Sequence, residues 1–458
     1  MNRREFLKCS AAGMAFGLSD CLGVSLQSKD RPDRPNIILC MTDDQGWGDV
    51  SYNGLKQIRT PTLDAMAAEG LRFDRFYAAH PSCSPTRASV MTGRHPNRMG
   101  CFWPGIPLRK EEMTIAQAVK RAGYATGHFG KWHLNGAPPG PGRLIPDSDP
   151  LSPRNVGFDE SFSVSNYFEL DWTFSHNGIP EKVTGDGSDA IVTKALKFIE
   201  KNAKQDKPFL AFIWFGSPHT PHRPLPEDLE AAGGWAYYGE LVGVDRSMGT
   251  LRRELRRLGI ADNTLLWFCS DNGSWIDPAK PSAHGSNGPF RGRKEDVWEG
   301  GIRVPGVIEW PARITRPRVT DVPVCTSDIY PTIVDLLQIS VLNQVKPLDG
   351  ISLVPLLDGK MKERPRPIGF WQGNNRLSVK AGRAAWNDNR YKLVRPASNR
   401  YELYDLKVDP SEKIDLAAKH PEIVNRMKAE LKSWQESVIR SWRGEDYKIN
   451  KQEKVIFS

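Results

Sequence analysis

Cys83-Ser84-Pro85-Thr86-Arg87 brings a thiol, a helix-starting proline and a guanidinium together within five residues. Pro85 suits the first turn of a helix, where the N–H it lacks has no intrahelical partner to lose. Ala88, Ser89, Val90 and Met91 continue that helix. Residue 83 then stands at a helix N-terminus, where unpaired N–H groups and the dipole favour an anion. Arg87, four residues on, shares the same helix face and can reach back to it. A thiol so placed is either a reactive centre or an ordinary buried cysteine before a helix, and these five residues alone do not separate the two readings.

Four apolar runs elsewhere end in polar clusters. Asn36 to Thr42 ends in Asp43-Asp44-Gln45, and Ala125 to Gly130 ends in Lys131-Trp132-His133. Phe209 to Phe215 is followed by Ser217-Pro218-His219, and Thr264 to Ser270 by Asp271-Asn272-Gly273. Helical patterns lie between them. One opens at Thr60-Pro61, carries Leu63, Met66 and Ala67, and stops at Gly70. Another is capped by Thr114, turns Ile115, Ala118, Val119 and Ala122 inward, and stops at Gly123. The alternation predicts an α/β sheet. Ligands of open α/β sheets bind at the carboxyl ends of the strands. Four segments therefore deliver two aspartates, a lysine, two histidines and an Asp-Asn pair to one edge, beside the helix that starts at Cys83.

Asp43, Asp44, Asp271 and Asn272 are all oxygen donors, which suits a hard cation, calcium above all. Each acid alone is commonly a turn or a helix cap; the Asp-Asp and Asp-Asn pairs after two similar strands favour the metal. Lys131 and His133 flank Trp132, so in an extended segment they face one way and the indole the other. Lys294 ends a glycine-containing stretch that starts at Gly288 and can approach a ligand closely. Lys131 and Lys294 are the candidate cations for the oxygens of an anionic ester.

The whole chain sets bounds. Its 458 residues carry 39% hydrophobic and 26% charged side chains and a net charge of +9. That is a globular composition with room for one large domain and a smaller one. The basic balance suits a polyanionic substrate or is a diffuse solvated surface. No nucleic-acid motif and no interior transmembrane stretch occurs in the sequence. Residues 1–34 read as an export signal and linker: Arg3-Arg4 resembles a twin-arginine motif, followed by a short apolar stretch from Ala11 to Leu18. Cys21 closes a lipoprotein-like box whose Asp20 is unfavourable before the cysteine. The seven cysteines show no disulfide or zinc spacing. Residues 35–365 read as the main domain. Residues 366–458 read as a small α+β domain, with short strands over 367–405 and an amphipathic helix from Pro421 to Trp442.

Taken together, the chain resembles the type I, formylglycine-dependent sulfatases over nearly all of its length beyond the signal. The resemblance lies in Pro35 to Asp49, Cys83 to Gly93, Gly130 to His133 and Pro218-His219. It continues through Ser270 to Gly273, Arg291 to Pro305, and Tyr404-Asp405-Leu406 with Asp409-Pro410. It implies an alkaline-phosphatase-like α/β/α sandwich with a smaller C-terminal α+β domain. It implies that a maturation enzyme oxidises Cys83 to formylglycine, whose hydrate offers one hydroxyl to attack a sulfate ester and a second to expel the sulfate. It implies calcium held by Asp43, Asp44, Asp271, Asn272 and residue 83. By the same resemblance Arg87 supports the formylglycine, Lys131 and Lys294 hold sulfate, His219 protonates the leaving oxygen, and His133 takes a proton from the second hydroxyl.

Within the family the resemblance is to arylsulfatases and N-acetylgalactosamine-6-sulfatase-like enzymes. The expected substrate is a sulfated carbohydrate or an aryl sulfate, met in the periplasm or outside the cell. Specificity is expected in loops 95–112, 136–186 and 274–292, whose Trp103, Trp172, His176, Trp275 and His284 either stack on sugars or pack locally. Two other readings share the pattern: a phosphatase or phosphonate monoester hydrolase of the same fold, and an inactive binder of sulfated glycans.

Overall fold

The computed structural model describes residues 34–276, 285–341, 343–396 and 400–447. Arg3, Arg4, Cys21 and His284 lie outside them. A ten-stranded sheet runs through the molecule. At its centre the four apolar runs stand side by side and parallel. Thr264–Ser270 pairs with Asn36–Thr42, which pairs with Phe209–Trp214, which pairs with Ala125–Lys131. Thr42 lies opposite Ser270, and Trp214 lies opposite both Met41 and Gly130. All four carboxyl ends therefore open on one edge. Outer strands, among them Gly306–Glu309 and the Thr173–His176 and Ile179–Lys182 pair, run antiparallel to their neighbours.

Strand side chains alternate between two cores. Ile37, Leu39 and Met41 face a cluster shared with Ala88, Val90, Ile115, Val119, Ile329 and Ile333. Ile38 and Cys40 face the opposite cluster, with Leu63, Met66, Ile191, Phe198, Val244 and Leu251. Helices therefore cover both faces, which explains why the central strands are continuously apolar. The expected helices form at Pro61–Glu69 and Ile115–Arg121, the second behind a Thr114–Gln117 capping box.

Toward the C-terminus a four-stranded antiparallel sheet, from Ile368–Gln372 to Glu402–Asp405, carries Pro421–Trp442 on one face. Trp371, Leu393 and Leu403 pack on Met427 and Leu431 of that helix. Phe370, Ala385 and Val394 of the other face pack on Tyr77, Val297 and Ile302. A buried ion network bridges the same seam: Lys392 Nζ lies 2.9 Å from Glu299 and 2.8 Å from Glu412. The five described cysteines are buried and unpaired. Among the described residues no helix is long and apolar enough to cross a membrane.

Candidate active site

The helix Cys83–Thr92 is buried along its whole length and points its first residue at the sheet edge. Ser82 does not cap it; its hydroxyl pairs with His80 Nδ1 at 2.8 Å. Cys83 Sγ lies 3.3 Å from Asp43 Oδ1 and 3.9 Å from Asp44 Oδ1. Burial and the Asp43 charge push this thiol well above its ordinary value. Reactive cysteines need the opposite, an electropositive setting that yields thiolate. An unmodified Cys83 is thus held as a neutral thiol.

Asp43, Asp44, Cys83 and Asp271 each present a ligand atom within 4.8 Å of the others. Burial opposes ionisation of Asp43, but Lys131, His219, Arg87 and Lys294 hold it well below the usual range. Burial and the Asp43 charge push Asp271 up to about 7, against the pull of Arg87. Lys131 Nζ pairs with Asp43 Oδ2, and Lys294 Nζ with Asp44 Oδ2 at 2.7 Å. Asn272 Nδ2 donates to Asp44 Oδ1 at 2.7 Å, while Asn272 Oδ1 is buried with no partner. Three carboxylates and the stranded Asn272 amide oxygen make a donor set suited to a hard cation. His219 adds one nitrogen to the same space, grouped with Asp43 and Cys83.

Arg87 is fully buried, and its hydrogen bonds go to neighbours other than residue 83. Nη2 and Nε donate to Asp271 Oδ2 at 2.7 and 3.1 Å, and Nη1 to the Lys131 carbonyl at 3.3 Å. The guanidinium also lies over the Trp214 ring at 5.0 Å. Trp132 points away from the site, stacked on Trp214. His133, in the left-handed region at φ 55°, has a buried Nδ1 without a partner, and burial and Lys131 keep its ring neutral. His219 Nδ1 is 2.5 Å from its neighbour's carbonyl at Thr220, which leaves Nε2 facing Asp44 Oδ2 at 3.8 Å. Its ring stacks on Tyr167, centroids 5.0 Å apart and 16° from parallel. Lys294 is brought in by backbone: its N–H donates to Ser274 O, and Gly273 N–H donates to Gly301 O. Gly273 passes so close there that an added Cβ would meet Gly300 O at 1.9 Å.

Three supporting residues have no role in the sequence reading. Asp49 accepts from Gly46 N–H at 2.8 Å and Ser286 N–H at 2.7 Å. The Tyr237 hydroxyl lies 2.6 Å from Asp49 Oδ2 and 3.1 Å from Asp44 O. Three residues along the helix Ala236–Arg257, Glu240 takes the Ser217 hydroxyl and accepts from Arg223 N–H at 2.7 Å. One helix face thus braces both the Asp43–Asp49 loop and the loop carrying His219. Buried polar residues at i and i+3 on the inward face of an amphipathic helix are the signal that was present.

Burial pushes Glu240 up to about 7, above the ~4.3 of an unfolded glutamate. The folded protein holds the extra proton between those values, so Glu240's contribution to stability falls as pH rises from about 4.3 through 7. Glu240→Gln is expected to flatten that part of the melting temperature–pH curve relative to wild type. Parallel curves for the two proteins would show that Glu240 titrates normally.

Of the expected specificity aromatics, Trp103 and Trp275 are 42% and 38% exposed. Trp172 packs against the second core, and His176 pairs with Glu181 at 2.8 Å.

The family model described as Sulfatase matches residues 35–339, and one described as N-sulphoglucosamine sulphohydrolase, C-terminal, matches residues 288–437. N-acetylgalactosamine-6-sulfatase of Mus musculus is 31% identical over 82% of this chain and 75% of its own length. Arylsulfatase G of Homo sapiens is 31% identical over 79% of this chain and 77% of its own. The solved structure of Ps i-CgsB in complex with k-i-k-neocarrahexaose superposes with a TM-score of 0.78 at 29% identity, covering 88% of this chain and 93% of that one. Because residues 35–339 supply every side chain gathered around Cys83, the match falls on the chemistry as well as the fold: the chain belongs to the sulfatase family and is a sulfuric ester hydrolase.

Proposed function

We propose that this sulfatase removes sulfate from sulfated carbohydrates, with formylglycine at residue 83 and calcium among Asp43, Asp44, Asp271, Asn272 and residue 83. The observation that carries the reading is the Cys83 thiol, held neutral against two carboxylates, one of which accepts from Asn272, whose Oδ1 is unpartnered. As a thiol it has no anion partner to become; as a modified, oxygen-bearing residue it joins an all-oxygen donor set. The formylglycine hydrate supplies the oxygen nucleophile, and calcium supplies positive charge where the sulfate oxygens gather.

The chain's own residues do the rest. Lys131 and Lys294 place ammonium groups against the acidic cluster, at Asp43 and Asp44, where they hold the sulfate oxygens. Arg87 fixes Asp271 and so the geometry of the cluster. His219, its Nδ1–H committed to Thr220 O, delivers a proton from Nε2 to the sugar oxygen as the S–O bond breaks, which requires the imidazolium; burial works against that form, and the Asp43 and Asp44 charges favour it. His133, neutral and with a free Nδ1, accepts a proton from residue 83 when sulfate is released. Overall one water is consumed, and the products are the free alcohol and inorganic sulfate.

The carbohydrate reading draws support from the mouse relative, named for a sulfated N-acetylgalactosamine, and from the neocarrahexaose held by the solved relative. The exposed Trp103 ring is suited to a sugar face, whereas Arg293 lies over the Trp275 ring, 4.4 Å from its centre. A phosphatase-type centre uses several histidine ligands; among the described residues only His219 joins the cluster.

Metal removal tests the centre. Chelation is expected to abolish turnover and calcium to restore it, with about one calcium per chain by elemental analysis. Asp43→Ala and Asn272→Ala should lose both metal and activity. Stoichiometric zinc, with activity restored by zinc alone, would contradict the assignment. We also propose export by the twin-arginine route. Replacing Arg3 and Arg4 by lysine should strand the protein in the cytoplasm, and undiminished export of that variant would refute the route.

A further inference from the structure

A cavity of about 190 Å³ is walled by His80, Ser82, Phe102, Trp103, Glu295 and Gln372. Two of these walls adjoin the chemistry in the chain. Ser82 immediately precedes Cys83, and Glu295 immediately follows Lys294, whose Nζ is on Asp44. Both walls are tied to that turn. Glu295 N–H donates to Pro81 O at 2.8 Å, and Gly105 N–H donates to Ser84 Oγ at 2.9 Å. Gln372 comes from the C-terminal sheet, so the cavity draws on both parts of the fold.

Its charge is opposite to that of the sulfate site. Lys131, Lys294 and Arg87 supply three cations around the acidic cluster. The cavity wall has a carboxylate and no cation: His80 is kept neutral by burial and by neighbouring His95. Glu295 is exposed, and among the described residues its carboxylate forms no ion pair. Its backbone sits in the left-handed region at φ 72°, which a glutamate adopts only when held there. The hold is the Pro81 bond together with Arg383, which donates to Glu295 O at 3.1 Å. Arg383 spends its charge on the Asp296 carboxylate at 2.9 Å.

We propose that Glu295 makes this cavity a subsite for neutral sugar substituents, so that the enzyme selects against a second anion beside the scissile sulfate. Hydroxyl or acetamido groups meet Ser82, Gln372 and the open Trp103 face. A neighbouring sulfate or uronate carboxylate meets the Glu295 charge without a counter-ion. The inference rests on the carbohydrate-sulfatase reading and names the substrate class within it: singly sulfated, otherwise neutral sugars.

The test compares kcat/KM for N-acetylgalactosamine 6-sulfate and its 4,6-disulfate. Wild type is expected to favour the monosulfate. Glu295→Gln should shift the ratio toward the disulfate by roughly three- to tenfold, and Glu295→Lys further, with both shifts shrinking at high salt. An unchanged ratio in both variants, or loss of all turnover in Glu295→Gln, overturns the selectivity while leaving the carbohydrate reading standing. Hydrolysis of nitrophenyl sulfate by wild type with neither sugar cleaved overturns both.

Discussion

Replacing Cys83 by alanine is expected to lower turnover by ~10⁴-fold or more, the scale on which loss of a nucleophile acts. The fold should survive. Among the described residues Sγ hydrogen-bonds only with Asp43 and Asp44, and the helix it starts is held by Ala88, Val90 and Met91 in the core. The variant should therefore melt within a few degrees of wild type. Protein matured beside a formylglycine-generating enzyme should yield a residue-83 peptide with the mass of the aldehyde or its hydrate. Protein made without that enzyme should carry unmodified cysteine and be inactive, because the neutral thiol of this pocket is a poor nucleophile. Full activity from protein whose peptide shows only cysteine would refute the assignment.

The second large effect divides by substrate. A sugar alkoxide is a poor leaving group and needs a proton as the S–O bond breaks, whereas a nitrophenolate needs little help. General acid catalysis contributes ~10²–10⁴-fold where it is required. His219→Ala is expected to slow hydrolysis of a sugar sulfate by that factor and of nitrophenyl sulfate far less. The geometry behind this is the committed Nδ1–H and the Nε2 directed into the site, with Tyr167 stacked behind the ring. Tyr167→Ala should therefore show a weaker form of the same split. Equal losses on both substrates, with chemistry rate-limiting, would make His219 a sulfate-binding residue and leave the proton donor to be sought at Lys294.

Much of the site was legible because strand ends are legible. An apolar run that stops at Asp43, Lys131, Ser217 or Asp271 marks where the chain leaves a buried parallel strand, and parallel strands share the edge on which they end. The helix boundaries at Pro61 and Thr114 were equally local, since caps and N1 prolines act within one turn. Arg87's partner was not legible. The spacing put it on the face of residue 83, but its bonds go to Asp271, 184 positions away, a neighbour only through strand pairing. Tyr237 and Glu240 were missed for the same reason: they act on loops from a helix whose docking is tertiary, and Asp49 is the loop residue that Tyr237 meets. Trp172 and His176 stood open between sugar stacking and local packing, because an aromatic in a loop region carries no mark of which face it turns; Trp172 packs against the second core and His176 pairs with Glu181. Glu295 gave no signal beyond its position after Lys294; its meaning comes from a left-handed backbone and a cavity shared with the C-terminal sheet.

The central claim is that this sheet edge hydrolyses sulfate esters of sugars. It is tested most directly by measuring inorganic sulfate and inorganic phosphate released by the matured, calcium-loaded enzyme from the 6-sulfate and 6-phosphate of the same N-acetylgalactosamine. The account predicts sulfate release with a kcat/KM at least ~10²-fold above that for phosphate, because three cations surround an acidic cluster that, among the described residues, only one histidine joins, unlike a two-metal, histidine-rich phosphate centre. Phosphate released as fast as sulfate, or faster, would contradict it.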